Sequence, residues 1–293
     1  MRSSSTSLWL PVALLLVAMI SFNAGAAFAK QLLPSLGAMG TATLRLSFAS
    51  IMLCLIFRPW SPRPSSKSLR MIAVHGLTIG MMNVLFYLAL LRVPLGVAVA
   101  LEFMGPLAVA VSSSRKKLDY LWVGLAVIGV LILLPRTDTN GALPLQGIIY
   151  ALGAACCWAM YIIIGKKAGA TAASGTAASI GMLAGALAIM PFGLATSGLA
   201  LLDTQFWPSA LTVALLSSAL PYYLDMIVLK AMPAKTFGVL MSMEPAMASL
   251  SGVVILHEYL SGIQWLAVTL VMSASFGAVA FASMPEATPE LTA

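Results

Sequence analysis

Residues 93–121 read VPLGVAVALEFMGPLAVAVSSSRKKLDYL, and residues 232–260 read MPAKTFGVLMSMEPAMASLSGVVILHEYL. The two stretches keep one register at a shift of 139 residues. Pro94 falls on Pro233, Pro106 on Pro245, and Asp119-Tyr120-Leu121 on Glu258-Tyr259-Leu260; in both stretches the prolines stand 12 residues apart. Lys30 meets Lys166 or Lys167 at a slightly smaller shift. A match at nearly half the chain length predicts an internal duplication. Each stretch also sets an acid just before a proline inside an apolar run, as Glu102-Phe-Met-Gly-Pro106 and as Glu244-Pro245.

The whole chain is built like these stretches. Of its 293 residues, 60% are hydrophobic and 9% charged, and its mean hydropathy is +0.99. Soluble domains carry about 25% charged residues, so 16 basic and nine acidic side chains cannot furnish a water-facing surface here. That composition excludes a cytosolic enzyme, a disordered chain and a soluble nucleic-acid binder. The net charge of +7 is read as basic cytoplasmic loops, not as a nucleic-acid footprint. Cys54, Cys156 and Cys157 lie in apolar runs, with no Cys/His spacing suited to zinc. No metal and no cofactor is expected. The chain belongs in a lipid bilayer.

A crossing helix needs about 20 apolar residues. Breaks at charges, Pro and Gly give ten spans: 8–29, 38–57, 71–91, 95–114, 120–135, 145–165, 174–195, 209–229, 236–256 and 262–282. The expected fold is therefore an all-α integral membrane protein with ten transmembrane helices as two five-helix repeats, 8–135 and 145–282, and a tail at 283–293. An odd number of helices per repeat turns the second repeat upside down relative to the first. Twelve basic residues fall on one side (Arg2, and the loops at 58–70, 115–119, 166–173 and 230–235) against Lys30, Arg92 and Arg136 on the other. That bias places both termini in the cytoplasm. Arg2, the apolar run Leu8–Ile20 and Ala27-Phe28-Ala29 together imitate a signal peptide, but the repeat needs this first helix, which is read as retained.

Inverted repeats with a site between them near the midplane are the architecture of alternating-access transporters. Ionisable groups at that depth are costly and mark function by default. Arg45, Glu102, Asp225 and Glu244 lie inside spans, Glu102 and Glu244 close to mid-depth. A proline removes a backbone donor and frees a carbonyl one turn earlier, so Pro106 and Pro245 predict helix breaks beside these acids. Glu102 and Glu244 are candidates to bind a cationic group or a proton in a central cavity. Arg45 is a candidate grip for a substrate carboxylate. The alternative is a structural ion pair between Arg45 and one of the acids, which would only lock helices together. Asp225 lies five residues before Lys230 and also fits the cytoplasmic interface. Asn83, Tyr87, Tyr222 and Tyr223 are candidates for neutral hydrogen bonds. His75 is placed at an interface and His257 in the loop before the last span. Gly76-xxx-Gly80 and Gly181-xxx-Gly185 have the spacing of close helix packing. No P-loop and no hydrolase or protease motif occurs, so the chain is not read as an enzyme.

Ten helices in two five-helix repeats resemble the drug/metabolite transporter superfamily with its EamA-type domains. Within it, Val93-Pro-Leu-Gly-Val-Ala-Val-Ala-Leu-Glu102-Phe-Met-Gly-Pro106 is similar to the threonine/homoserine exporter subfamily of bacterial inner membranes. So are Ser218-Ala-Leu-Pro221-Tyr222 and Thr236-Phe-Gly-Val-Leu-Met-Ser-Met-Glu244-Pro245-Ala. The resemblance spans nearly the whole chain. It implies export of small neutral amino acids, or amino-acid-like metabolites, across the cell inner membrane, driven by the proton gradient; the sequence leaves open whether a monomer or homodimer does so. The rival readings are an exporter of other metabolites or cationic drugs, and a membrane protein that transports nothing. His257 departs from the family, which tends to place Gly before the acid equivalent to Glu258.

Overall fold

The computed structural model describes residues 9–60, 64–112, 117–133, 143–169, 172–221, 224, 228 and 241–280. These residues are helical with short joins and form no strand. In chain order the helices are α1 (Trp9–Phe57), α2 (Ser66–Leu90), α3 (Leu95–Glu102), α4 (Met104–Ser112), α5 (Lys117–Leu133), α6 (Leu145–Gly169) and α7 (Ser174–Ser197). Two 3₁₀ turns, Gly198–Leu202 and Thr204–Phe206, lead into α8 (Trp207–Ala214), which widens to a π turn at Leu215–Ala219. Beyond it lie α9 (Glu244–Leu256) and α10 (Gly262–Ala280).

α1 holds the first departure from the sequence reading. The join expected between 29 and 38 is helical, and only Gly37 leaves helical geometry, with φ 66° and ψ 175°. Along one straight helix Phe22 and Arg45 would lie about 35 Å apart. Instead the guanidinium carbon of Arg45 sits 5.7 Å from the centre of the Phe22 ring. α1 is therefore a hairpin of two arms that turns back at Gly37. A side chain there would meet no neighbour; the positive φ, not space, is what calls for glycine.

The seams between helices are built from small residues, because lipid tails are as apolar as leucine and association relies on close contact. Ala26, Ala27, Ala42, Ala49, Ala89, Ala98, Ala151 and Ala154 are all fully buried in the largest core cluster. The two glycine pairs face each other across α2 and α7: a Cβ at Gly76 would strike the carbonyl of Gly181, and one at Gly185 the carbonyl of Gly76. Large apolar side chains point outward instead. Leu10, Leu55, Leu77, Ile149, Phe192 and Val254 are all more than 45% exposed, a surface that water would not tolerate and lipid would. Among the described residues four helical segments, Leu10–Phe57, Ser66–Leu90, Leu145–Gly165 and Gly175–Leu202, are long and apolar enough to cross a bilayer.

α1 packs chiefly on α7 and α8, α2 on α6 and α7, α3 on α9, and α5 on α10. One end of the bundle gathers the turn of the α1 hairpin, the α2–α3 corner, the end of α7 and the α9–α10 join. Ser197 Oγ donates to the carbonyl of Leu36 at 2.6 Å there, and Arg92 Nε donates to Gln146 Oε1 at 3.1 Å.

Candidate functional site

The expected 95–114 span is two helices, α3 and α4, separated at Phe103. The reason lies in Pro106, at the third position of α4. Its nitrogen has no hydrogen to give the carbonyl of Glu102, so the ladder opens at the residue that carries the acid. The Phe103 ring meets Trp158 edge-on, centroids 5.4 Å apart and planes at 90°, pinning the break against α6. Pro245 stands similarly in the first turn of α9, which begins at Glu244.

The returning arm of α1 carries Arg45 into the space facing this break. Its side chain is 5% exposed and makes four hydrogen bonds. Nη1 donates to Asn83 Oδ1 at 2.7 Å and to Tyr87 Oη at 3.2 Å. Nε donates to Ser218 Oγ at 3.1 Å, and Nη2 to the carbonyl of Ser217 at 2.8 Å. Pro221 explains the last of these. The Leu220 N–H is spent on the carbonyl of Leu215 and Pro221 has no N–H to give, so α1 supplies donors instead: Arg45 to Ser217 O, and Ser21 Oγ to Leu216 O at 2.7 Å. Asn83 gives its own Nδ2 hydrogen to the carbonyl of Ile79 at 2.9 Å, which holds its Oδ1 toward the guanidinium.

Every one of these partners is neutral. Among the described residues no carboxylate bonds Arg45, so the structural ion pair considered from the sequence is not found there. Described residues take four of the five guanidinium N–H groups, and no described residue takes the second one on Nη2. A buried cation whose described hydrogen-bond partners are all neutral is poorly compensated by them. It lines a cavity of about 40 Å³, room for a few waters. Glu102, Asn83 and Ser218 supply the rest of its polar wall; Phe22, Phe86, Met82 and Met182 supply apolar surface. Glu102 is 6% exposed. No described residue hydrogen-bonds or ion-pairs its carboxylate, and Arg45 acts on it through the field across the cavity.

The structure thus brings together Arg45, Asn83, Tyr87 and Glu102. Glu244 is buried, 4% exposed, at the start of α9, and is not part of this cavity's wall. Asp225, Tyr222 and Tyr223 lie outside the described residues. Ser217, Ser218 and Phe22 were not singled out from the sequence, because a hydroxyl or a ring in an apolar run has no distinguishing pattern. His75, expected near a span end, is 7% exposed and stacks on Tyr161 with centroids 4.6 Å apart, in a slot between helices where α6 and α7 offer Gly165 and Gly181.

A helical bundle with a lipid-compatible exterior, and with an interior cation and an acid lining one small cavity, defines a multi-pass membrane protein. Residues 145–280 match the EamA-like transporter family. The threonine/homoserine exporter RhtA of Escherichia coli K12 is 48% identical over 269 residues, which are 92% of this chain and 91% of that protein. Its Salmonella typhimurium LT2 counterpart is 47% identical over the same shares. The chain belongs to the EamA-like transporter family. A protein of known crystal structure with 16% identity superposes with a TM-score of 0.62, over 94% of this chain and 99% of the other; at that identity the likeness speaks for the fold alone.

Proposed function

We propose that this protein exports small neutral amino acids of the threonine and homoserine kind from bacterial cytoplasm by proton-coupled alternating access. One observation carries the reading: a buried guanidinium with only neutral described partners shares a cavity with an acid that no described residue pairs. A zwitterion complements both. Its carboxylate takes the Nη2 donor of Arg45 that no described residue takes, and its ammonium, or the driving proton, takes Glu102. Tyr87, Asn83 and Ser218 hold the guanidinium in place, and Glu244 forms a second acidic station at the start of α9. Tyr222, Tyr223 and Asp225 remain candidates by sequence. The named cargo of relatives 47–48% identical to this chain agrees with that charge pattern.

The proposed frame is two inverted five-helix repeats, residues 8–135 and 145–282, with ten crossings, both termini in the cytoplasm and a tail at 283–293. Its support is reciprocity. The 95–114 span packs on its counterpart span 236–256 through α3 and α9, and α5 packs on α10, while α2 on α6 and α7 mirrors α8 on α1. A fold present upright and inverted has an inward-open and an outward-open form of similar energy. The small cavity fits a form in which the walls have to part before a solute enters.

Counterflow in proteoliposomes tests the reading. Vesicles loaded with threonine should accumulate labelled threonine, and homoserine should compete while lipophilic cations do not. Competition by such cations alone would favour the rival reading as a cationic-drug exporter.

A further inference from the structure

The same end of the bundle that holds the α2–α3 corner contains a half-buried ion pair with no part in the cavity. Lys30 Nζ lies 2.6 Å from Glu258 Oε1 and also donates to the carbonyl of Val93 at 2.9 Å. Glu258 Oε2 accepts from the backbone N–H of Leu95 at 2.8 Å. Three elements remote in sequence are tied by these contacts: the outgoing arm of α1, the first residue of α3, and the join between α9 and α10. His257 aims the acid. It closes α9 in the left-handed conformation, φ 53° and ψ 34°, which lets the chain turn so that Glu258 N donates back to Gly252 O at 3.1 Å.

The position of this knot relative to the cavity can be counted along two helices. Lys30 lies eight residues beyond Phe22 on α1, and Leu95 seven residues before Glu102 on α3; both place it about 10–12 Å from the cavity. Both counts run toward the same end. For a solute to leave the cavity through that end, α1, α3 and the α9–α10 join have to separate. The side chains of Lys30 and Glu258 are 22% and 14% exposed. A fully exposed pair would hold almost nothing, and a fully dry one would be too costly to break. This pair lies between the two, as a reversible closure requires.

We propose that Lys30 and Glu258, with the N–H of Leu95, form a latch that keeps this mouth of the transport path shut. The proposal rests on the transporter reading but not on the identity of the cargo. Its test is cysteine accessibility in the full chain. Cys54, Cys156 and Cys157 are replaced by Ala, and Met82→Cys puts one thiol on the cavity wall. A membrane-impermeant maleimide is then applied from the side that carries the latch. Glu258→Gln and Lys30→Met should each speed labelling at least fivefold, and Lys30→Arg should keep it slow. Combining Glu258→Gln with Lys30→Met should add little, because either change alone opens the latch. Labelling no faster than in the parent for either variant, in protein that still elutes as a folded species, would overturn the proposal. So would a double variant whose effect multiplies the two single ones. The two readings fail separately: lost threonine counterflow with intact labelling changes removes the cargo assignment alone, and unchanged labelling with intact counterflow removes the latch alone.

Discussion

Arg45 spends four N–H groups on an amide oxygen, a phenol, a hydroxyl and a peptide carbonyl. A planar fork reaches four such partners at once, and an ammonium with three donors does not. Arg45→Lys is therefore expected to lower threonine counterflow at least tenfold while the protein still folds, read as initial rates at matched reconstitution. Arg45 and Glu102 stand out in the sequence because a charge at bilayer depth needs a reason, and Asn83 and Tyr87 as polar groups able to add neutral hydrogen bonds. Ser217 and Ser218 do not, since hydroxyls in membrane helices commonly bond their own preceding turn, as Ser217 Oγ also does to Val213 O at 2.6 Å. His257 was noted only as a departure from the family's usual glycine, and its positive φ gives the physical reason for that glycine. Left-handed geometry costs a residue with a Cβ about 1–2 kcal/mol. His257→Gly should accordingly stabilise the protein by about 1 kcal/mol, measurable as a raised unfolding midpoint in detergent.

Among the elements, the helices were legible where apolar length decides and illegible where a single dihedral does. Nothing in residues 29–38 announces that helix persists to the turn at Gly37, because the hairpin rests on one glycine and not on a run of breakers. The split of the 95–114 span was signalled by Pro106, but the opening falls three residues earlier, at Phe103, since a proline empties the carbonyl one turn before itself. The spacing of the two glycine pairs signals close packing but not which helices meet; the structure joins them at the α2–α7 contact, whose tightness sets a sharp expectation. With the Gly181 carbonyl against Gly76, Gly76→Leu has no room unless the helices separate. Overpacking of this kind costs about 1–3 kcal/mol or more. The expected outcome is a clear loss of folded protein by size exclusion, whereas Gly124→Ala, which would meet no neighbour, should leave the yield unchanged.

For the molecule as a whole, the duplicated register of residues 93–121 and 232–260 suggests two matching halves, the frame proposed above, in which the 95–114 span meets the 236–256 span through α3 and α9 and α5 meets α10. The sequence could not say which of its buried acids share a wall, because facing depends on helix rotation and not on depth. Glu102 lines the cavity with Arg45, and Glu244 starts the neighbouring helix. Two acids at separate stations suit a carrier in which proton and solute exchange places. Glu102→Gln should uncouple transport from the proton gradient, so that collapsing the gradient no longer slows export from loaded vesicles. The most direct measurement concerns the two charges of the cargo. Labelled threonine bound to the purified protein is competed with threonine methyl ester, which lacks the carboxylate, and with N-acetylthreonine, which lacks the ammonium. A cavity that reads both ends through Arg45 and Glu102 predicts that neither analogue displaces threonine at concentrations where homoserine does; displacement by either one as effective as that by homoserine would contradict it.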